Sequence, residues 1–323
     1  MASTKLTRTH GTATNTKKYT WSAWIKRGLV GTQETLVRTR TSDSNYARFR
    51  TDPDKLEFSD VISSSVVTSL ISNEKLRDPN AWYHVVLKVD YTQANAADRA
   101  KIYLNGTEVT YSTSTRQSQN GDSFFNSANG HAIGTYNDNH YFNGAMSHVH
   151  FTDGYAYDAS TFGSTDATTG EWKINTAPSV TYGTNGYFVL KDSNGVTDQS
   201  GNSNNFTVGG GTLTNLQDCP SDVFCTMSPT DKTGQGSGMP PFSNGNTTVD
   251  TVAVAQNVGC RGTIAAKSGK YYAEAKVFGS ASPEYRRVGI IAMDDPDWTT
   301  GNSYAVTTYS TGYGYKSTGD KAV

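Results

Sequence analysis

From Tyr83 to Val89 the chain alternates with a period of two: Tyr83, Val85, Leu87 and Val89 fall on one side of an extended segment, His84, Lys88 and Asp90 on the other. That is the pattern of a half-buried strand. Ala100, Ile102 and Leu104 then alternate with Arg99, Lys101 and Tyr103, and Asn105-Gly106 follows, the pair that best tolerates positive φ at both centres of a type I′ turn. Two hairpins sharing three strands are predicted between Trp82 and Tyr111, and their common apolar face requires a second sheet to cover it. The same period recurs in Tyr19 to Arg27, with Trp21, Ala23 and Ile25 set against Ser22, Trp24 and Lys26. In Phe142 to Phe151, Ala145, Ser147, Val149 and Phe151 alternate with Met146, His148 and His150. Shorter strand-like pieces lie at Glu34 to Arg40, Asn45 to Arg50, Lys55 to Ser59, Gly130 to Thr135 and Gly186 to Leu190. Short strands at this spacing predict a sandwich.

A length of 323 residues suggests about two domains. Leu is scarce and absent after Leu216, while Thr, Ser, Asn, Gly and Tyr abound, a mix that favours strands and tight turns over long helices. The expectation is an all-β chain. Gly209 to Gly211, and then Ser228 to Asn246 with its GQGSGMPP run, read as connecting segments. The expected division is 1–212 for a first sandwich, 213–246 for a linker and 247–323 for a second region. Strand patterns resume there in Thr248 to Val254, Ser268 to Phe278, Arg286 to Asp294 and Tyr313 to Val323.

The runs YTWSAWIKR, WYHVVLKVD, IYLNG, AIGTY and FNGAMSHVHFTDG, taken in succession over about residues 5 to 210, resemble the laminin G-like branch of the concanavalin A-like sandwiches. That resemblance implies a jelly-roll β-sandwich. Phe151 to Lys173, FTDGYAYDASTFGSTDATTGEWK, resembles a segment of virion proteins from tailed phages of marine bacteria and cyanobacteria, which implies display on a particle surface. SGKYYAEAKVF, RRVGIIAMD and YGYKSTGDKAV resemble the first half of a SPRY-type sandwich. The later strands of such a domain are missing before Val323, so either the product continues or a partner strand completes the sheet.

Charge changes the picture locally. The net charge is −1, so no global field recruits nucleic acid or an anionic membrane. Yet residues 1 to 50 carry ten Lys or Arg against Glu34 and Asp43, ten minus two giving +8. MASTKLTRTHG has no apolar run and no later stretch has 18 apolar residues, so neither a signal peptide, an anchor nor a spanning helix is expected. Cys219, Cys225 and Cys260 lack paired spacing and read as free thiols rather than a zinc or disulfide framework.

Glu34, Glu57, Glu74, Glu108, Glu171, Glu274 and Glu284 all lack an acid two residues on, so the paired carboxylates of glycoside cleavage are not visible. No G-x-S-x-G elbow or P-loop occurs. The expectation is therefore a protein without catalytic residues. His148 and His150, with His84 on a neighbouring strand, make a metal site on a sheet imaginable, against the alternative of ordinary histidines on an exposed polar face. Asp198, Ser200 and Asn202, or Asn137, Asp138 and Asn139, are oxygen-rich turns that could hold calcium or bond their own backbone. Otherwise no cofactor is expected. The loop Tyr136 to Tyr141, with Asn137, Asp138, Asn139, His140 and Tyr141, combines aromatic and amide chemistry suited to sugars, and its other reading is a solvated loop. Arg38 with Arg40, and Arg48 with Arg50, project as pairs from probable strands and could grip phosphate or carboxylate groups.

These readings converge on a structural protein of a tailed-phage virion surface, assembled in the host cytoplasm. Its expected role is tail-fibre or receptor recognition of host surface glycans. The alternatives are a capsid decoration protein and, in a different class, a polysaccharide depolymerase. The expected partners are other virion subunits, further copies of itself and a host glycan, without nucleic acid or membrane insertion.

Overall fold

The structure is a computed structural model that describes residues 3–191, 195–234, 242–249, 258–277, 287–294, 313–316 and 321–322. The chain forms two compact units, Met1–Val223 and Phe224–Val323. The strands of the first unit are β1 (Lys5–Thr9), β2 (Lys18–Arg27), β3 (Glu34–Ser42), β4 (Asn45–Asp52), β5 (Lys55–Ile62), β6 (Ser65–Lys75), β7 (Tyr83–Asp90) and β8 (Ala100–Leu104). They continue as β9 (Thr107–Glu108), β10 (Tyr111–Thr115), β11 (Gly130–Ile133), β12 (Gly144–Asp153), β13 (Gly163–Thr165), β14 (Trp172–Ile174), β15 (Tyr187–Val189) and β16 (Thr207–Gly209).

Two antiparallel sheets stack. One has eight strands in the order β10, β6, β5, β4, β3, β11, β1, β16; the other has six, in the order β15, β12, β2, β7, β8, β9. The predicted hairpin is present, with Val85, Leu87 and Val89 opposite Leu104, Ile102 and Ala100. Asn105 and Gly106 both have positive φ at its turn. Gly106 is required twice over, because a Cβ there would also lie 2.4 Å from the Trp172 ring. The inner faces supply one core: Trp21, Ile25, Leu87 and Ile102 from the six-stranded sheet and Leu36, Phe49, Phe58 and Leu70 from the eight-stranded one are all fully buried. Alternation fails on β12. Between Ser147 and His150 two residues of β12 face one of β2, so Val149 and Phe151 join the core while Ala145 and Ser147 pair with Lys26 and Trp24 on the outer face.

The outer face of the six-stranded sheet is also covered. Residues 154–182 fold back across it, and His84, Val86, His148 and His150 are each at most 2% exposed. Most of the run from Phe151 to Lys173 belongs to this cover. It is tied down by polar bonds: Tyr157 N donates to Thr20 Oγ1 at 2.7 Å, Thr152 Oγ1 to the Tyr155 carbonyl at 2.8 Å, and Lys88 Nζ to Asp158 at 2.7 Å. Residues 213–223, expected in the connecting region, lie in the first unit. Asp218 is buried there in an ion pair with Lys26 at 2.9 Å and accepts from Trp82 Nε1 at 3.2 Å.

In the second unit Met227–Gly234 pairs with Val258–Gly262, Phe242–Ser243 with Thr248–Val249, and Arg287–Ile290 with Tyr313–Lys316, which also pairs with Lys321–Ala322. Residues 268–277, expected as a strand, carry none. Tyr271 and Tyr272 are exposed there, because alternation makes a strand only where a neighbouring ladder receives it, and no described strand pairs with this run. Of the expected stretches, 250–254, Phe278, Arg286, 317–320 and Val323 lie outside the described residues.

Leu87→Ala removes a fully buried side chain at the centre of the core and is expected to lower unfolding stability by about 2 to 5 kcal/mol. Chemical denaturation of the two proteins measures it, and an unchanged midpoint would contradict the packing.

Candidate functional site

The eight-stranded sheet turns a different chemistry outward. Arg38 and Arg40 on β3 lie beside Tyr46, Arg48 and Arg50 on β4, with Arg38 directly opposite Arg48 and Arg40 opposite Tyr46. Tyr136, at the start of the 136–141 loop, reaches over the same patch. The Arg48 guanidinium carbon sits 4.8 Å from the centre of the Tyr136 ring and 5.1 Å from that of Tyr46, and Arg40 sits 5.4 Å from Tyr136. The two tyrosines meet edge to face at 5.6 Å. Two sets of residues picked out separately in the sequence, the arginine pairs and the aromatic loop, therefore form one surface.

The fold places the loop deliberately. Thr35 N donates to the His140 carbonyl at 2.9 Å, Phe142 N to the Gly134 carbonyl at 3.0 Å, and Gly28 N to the Asn143 carbonyl at 2.7 Å. Glu34 Oε1 accepts from Asn143 N at 3.1 Å, and Glu34 is itself held by fully buried Arg27 at 3.1 Å. Asn137, Asp138, Asn139 and His140 are exposed at the tip and Tyr141 is half-buried. Asp138 is bonded by Lys5.

The four arginines are not equivalent. Arg50 is nearly buried and neutralised by Asp52 at 2.6 Å and Glu57 at 2.9 Å, so it is a structural residue. Arg40 is paired with exposed Asp43 at 2.7 Å, and that bond raises its pKa. Arg38 donates to the Gly130 carbonyl at 3.2 Å, and burial together with the adjacent Arg40 lowers its pKa. Arg48 has no hydrogen bond among the described residues, and its nearest carboxylate, Glu57, is 3.8 Å away. Like charges directly opposite across a sheet repel, and the Nε atoms of Arg38, Arg40 and Arg48 are buried without hydrogen-bond partners. Stacking on tyrosine fixes a guanidinium while leaving its in-plane N–H groups to point at an acceptor. The rings of Tyr136 and Tyr46 are thus occupied by arginine.

The +8 of residues 1 to 50 does not make a broad basic face. Lys17 pairs with Asp122, Lys18 with Asp90, Lys26 with Asp218 and Arg27 with Glu34 and Asp54. Carboxylates elsewhere in the chain cancel much of it, leaving Arg8 and Arg38 bonded to neutral oxygens and Arg48 with a carboxylate only at 3.8 Å.

The histidines depart from the expectation of an exposed polar face. His84 is clamped between Ser22 Oγ at 2.9 Å and Trp172 Nε1 at 3.0 Å, and His150 bonds Tyr182 OH at 2.9 Å and stacks on Phe188 with ring centres 3.9 Å apart. His148 bonds Ser147 Oγ at 2.8 Å. Among the described residues no group of three or more His, Cys, Asp or Glu is placed to hold a metal. The Asp198 turn serves its own backbone: the carboxylate accepts from Phe188 N, Ser200 N, Ser200 Oγ and Asn204 N at 2.7 to 2.9 Å, and Asn202 Nδ2 donates to the carbonyls of Gly183 and Gly186. Those bonds fill both oxygens, a poor fit to a calcium ligand.

Residues 2–161 match the family model of the concanavalin A-like lectin/glucanases superfamily, the third laminin G group. The first unit has the concanavalin A-like, laminin G-like jelly-roll fold. Among solved structures the chain is similar to a protein of Bacteroides ovatus described as carbohydrate binding, at 18% identity and a TM-score of 0.46, over 68% of this chain and 60% of that one. It is also similar to the heptameric SAP-like pentraxin of Limulus polyphemus, at 17% identity and a TM-score of 0.39, over 66% and 91%. Domains LG4-5 of the mouse laminin alpha1 chain align at 11% identity and a TM-score of 0.34, over 58% and 44%. The chain thus spans less than two thirds of the first of these relatives. A search of curated proteins finds no match. No helix among the described residues is long and apolar enough to cross a membrane.

Burial pushes the His84 imidazole down to about 3, well below its usual 6.5. A base whose folded pKa is depressed contributes no penalty above the unfolded value and costs stability as pH falls from 6.5 toward 3, by up to about 1.4 kcal/mol per pH unit. Asp60, buried and pushed up to about 7, acts in the opposite sense but is common to both proteins in a comparison. The stability difference between wild type and His84→Gln is therefore expected to shrink between pH 7 and pH 4.5, and denaturation at both values checks it.

Proposed function

We propose that the chain is a non-enzymatic recognition protein whose first unit binds an acidic glycan through Arg38, Arg48 and Arg40, presented on Tyr46 and Tyr136. One observation carries this reading: Arg38 and Arg48 stand opposite each other on adjacent strands, the Arg48 guanidinium lies over the rings of Tyr46 and Tyr136, and no carboxylate comes closer to Arg48 than 3.8 Å. An anion between them would relieve the repulsion and satisfy planar donors in a bidentate manner. The lectin-like fold supports a carbohydrate as the carrier of that anion, as does a neighbour described as carbohydrate binding. The likeness of Phe151 to Lys173 to phage virion segments supports a setting on a tailed-phage particle, where host-glycan recognition by a tail fibre is the leading role. The paired ladder of Arg287–Ile290 and Tyr313–Lys316 supports reading the second unit as part of a SPRY-type interaction domain.

Retention on dextran sulfate and on neutral dextran tests the site. Wild type is expected to bind the sulfated polymer alone and to lose that binding as salt rises from 50 to 500 mM, since exposed charge pairs are screened over about 8 Å at physiological ionic strength and less above it. Arg38→Gln with Arg48→Gln is expected to weaken binding at 50 mM at least fivefold and to flatten the salt dependence. Equal retention of wild type and variant at low salt overturns the assignment. Binding of the same pair of proteins to phage particles depleted of this subunit, against binding to host cells, separates an anionic virion partner from a host glycan.

A further inference from the structure

The arginine pair sits at the middle of a longer feature of the eight-stranded sheet. Leu6, Ile133, Val37, Phe49, Phe58 and Leu70 stand opposite one another in turn and are at most 3% exposed, so this row faces the core. The adjacent residue on each strand therefore faces outward. From Arg38 that outer row runs through Ala132 and Thr7 to Thr207, and from Arg48 through Ser59 and Ser69 to Thr115. Every strand of the sheet contributes one residue, and the spacings between them add up to a path of roughly 34 Å across the face. Away from the two arginines each member is Ala, Ser or Thr, and none is acidic.

The two faces of the sheet use their hydroxyls differently. On the inner face Thr39 Oγ1 donates to the Phe125 carbonyl at 2.7 Å and Ser72 Oγ to the Glu74 carbonyl at 2.9 Å. On the outer row Thr7, Ser69, Thr115 and Thr207 are half-buried or exposed, and their hydroxyls make no hydrogen bond among the described residues. A hydroxyl both donates and accepts, which matches the hydroxyls of a sugar, and a pyranose in an extended chain advances by nearly one strand spacing. Glu57, two residues along β5 from Ser59, is buried and held by Arg50 at 2.9 Å, so it brings no free charge to the row. The row is cationic at its centre, and small, neutral and hydroxyl-bearing on both arms. We infer that a linear polysaccharide lies across the strands along this row, with an acidic sugar at Arg38 and Arg48 and neutral sugars beside it on either arm. The ligand is then an internal stretch of a chain in which acidic and neutral sugars alternate, not a terminal acidic sugar. This inference rests on the reading of Arg38 and Arg48 as the anion site and adds to it a path and a length.

Titration of the full chain with the disaccharide, octasaccharide and dodecasaccharide of hyaluronan tests it. The octasaccharide is expected to bind about tenfold more tightly than the disaccharide, because hydrogen bonds along both arms add to the central ion pair. The dodecasaccharide overruns the row and is expected to bind as the octasaccharide does. Thr7→Val, Ser69→Ala and Thr115→Val together remove three hydroxyls without adding charge or bulk. That variant is expected to bind the octasaccharide about fivefold more weakly than wild type and the disaccharide equally well. Equal affinity of wild type for disaccharide and octasaccharide, or an octasaccharide bound equally by wild type and the variant, overturns the extended path and leaves the anion site standing. So does a failure of every hyaluronan length to bind while dextran sulfate is still retained through Arg38 and Arg48. Octasaccharide affinity unchanged in Arg38→Gln with Arg48→Gln, or no binding of either polymer by wild type, overturns the anion site and the path with it.

Discussion

The six-stranded sheet is buried on both faces, and most of the first unit's architecture answers to that constraint. An inner face can be satisfied by apolar side chains alone. An outer face under a cover of irregular chain cannot, because that cover brings its own N–H and C=O groups, and buried polar groups go unpaired only at a cost of about 1 to 3 kcal/mol each. The outward positions of β2, β7 and β12 are therefore polar but not solvated: Thr20, Ser22, His84, His150 and Thr152 each meet a partner, several of them from residues 154–182. Neutral imidazole suits such a layer, since it can donate at one nitrogen, accept at the other and still stack on Phe188, Trp24 or Trp172.

At one end of the sandwich the same problem is solved by a charge. Arg27 is fully buried and distributes its donors over Glu34, Asp54 and the carbonyls of Thr32, Pro53 and Leu76. One guanidinium thus joins the end of β2, the β4–β5 turn and the exit of β6. Glu34 passes the constraint on to Asn143 and so to the loop that carries Tyr136. The position of that loop at the surface follows from a cation in the interior.

Much of this was legible in the chain. The register of β7 against β8 followed from alternation and Asn105-Gly106, because a strand with one apolar face leaves no freedom to slip. Arg38, Arg40 and Arg48 project together as a period of two requires. What alternation could not show was the bulge at His148, which shifts Ala145 and Ser147 to the other face without any change in the residue pattern. Nor could it show β6, whose SVVTSLISNEK run mixes small polar residues among its apolar ones, or the cover over His84 and His150, since a strand polar on one side reads the same whether that side meets water or a hydrogen-bonded layer. The charge of the first fifty residues was visible, and its cancellation by Asp90, Asp122 and Asp218 was not, because pairing across a hundred residues is a property of topology.

Most residues of the sandwich satisfy local preference, packing and charge at once, as sequences with a smooth route to one native state do. The arginine pair across β3 and β4 does not. Local conflicts of this kind are where folding and binding demands commonly part. An anion that completed the pair would tighten this patch, which would register as lower mobility and slower amide exchange along β3 and β4.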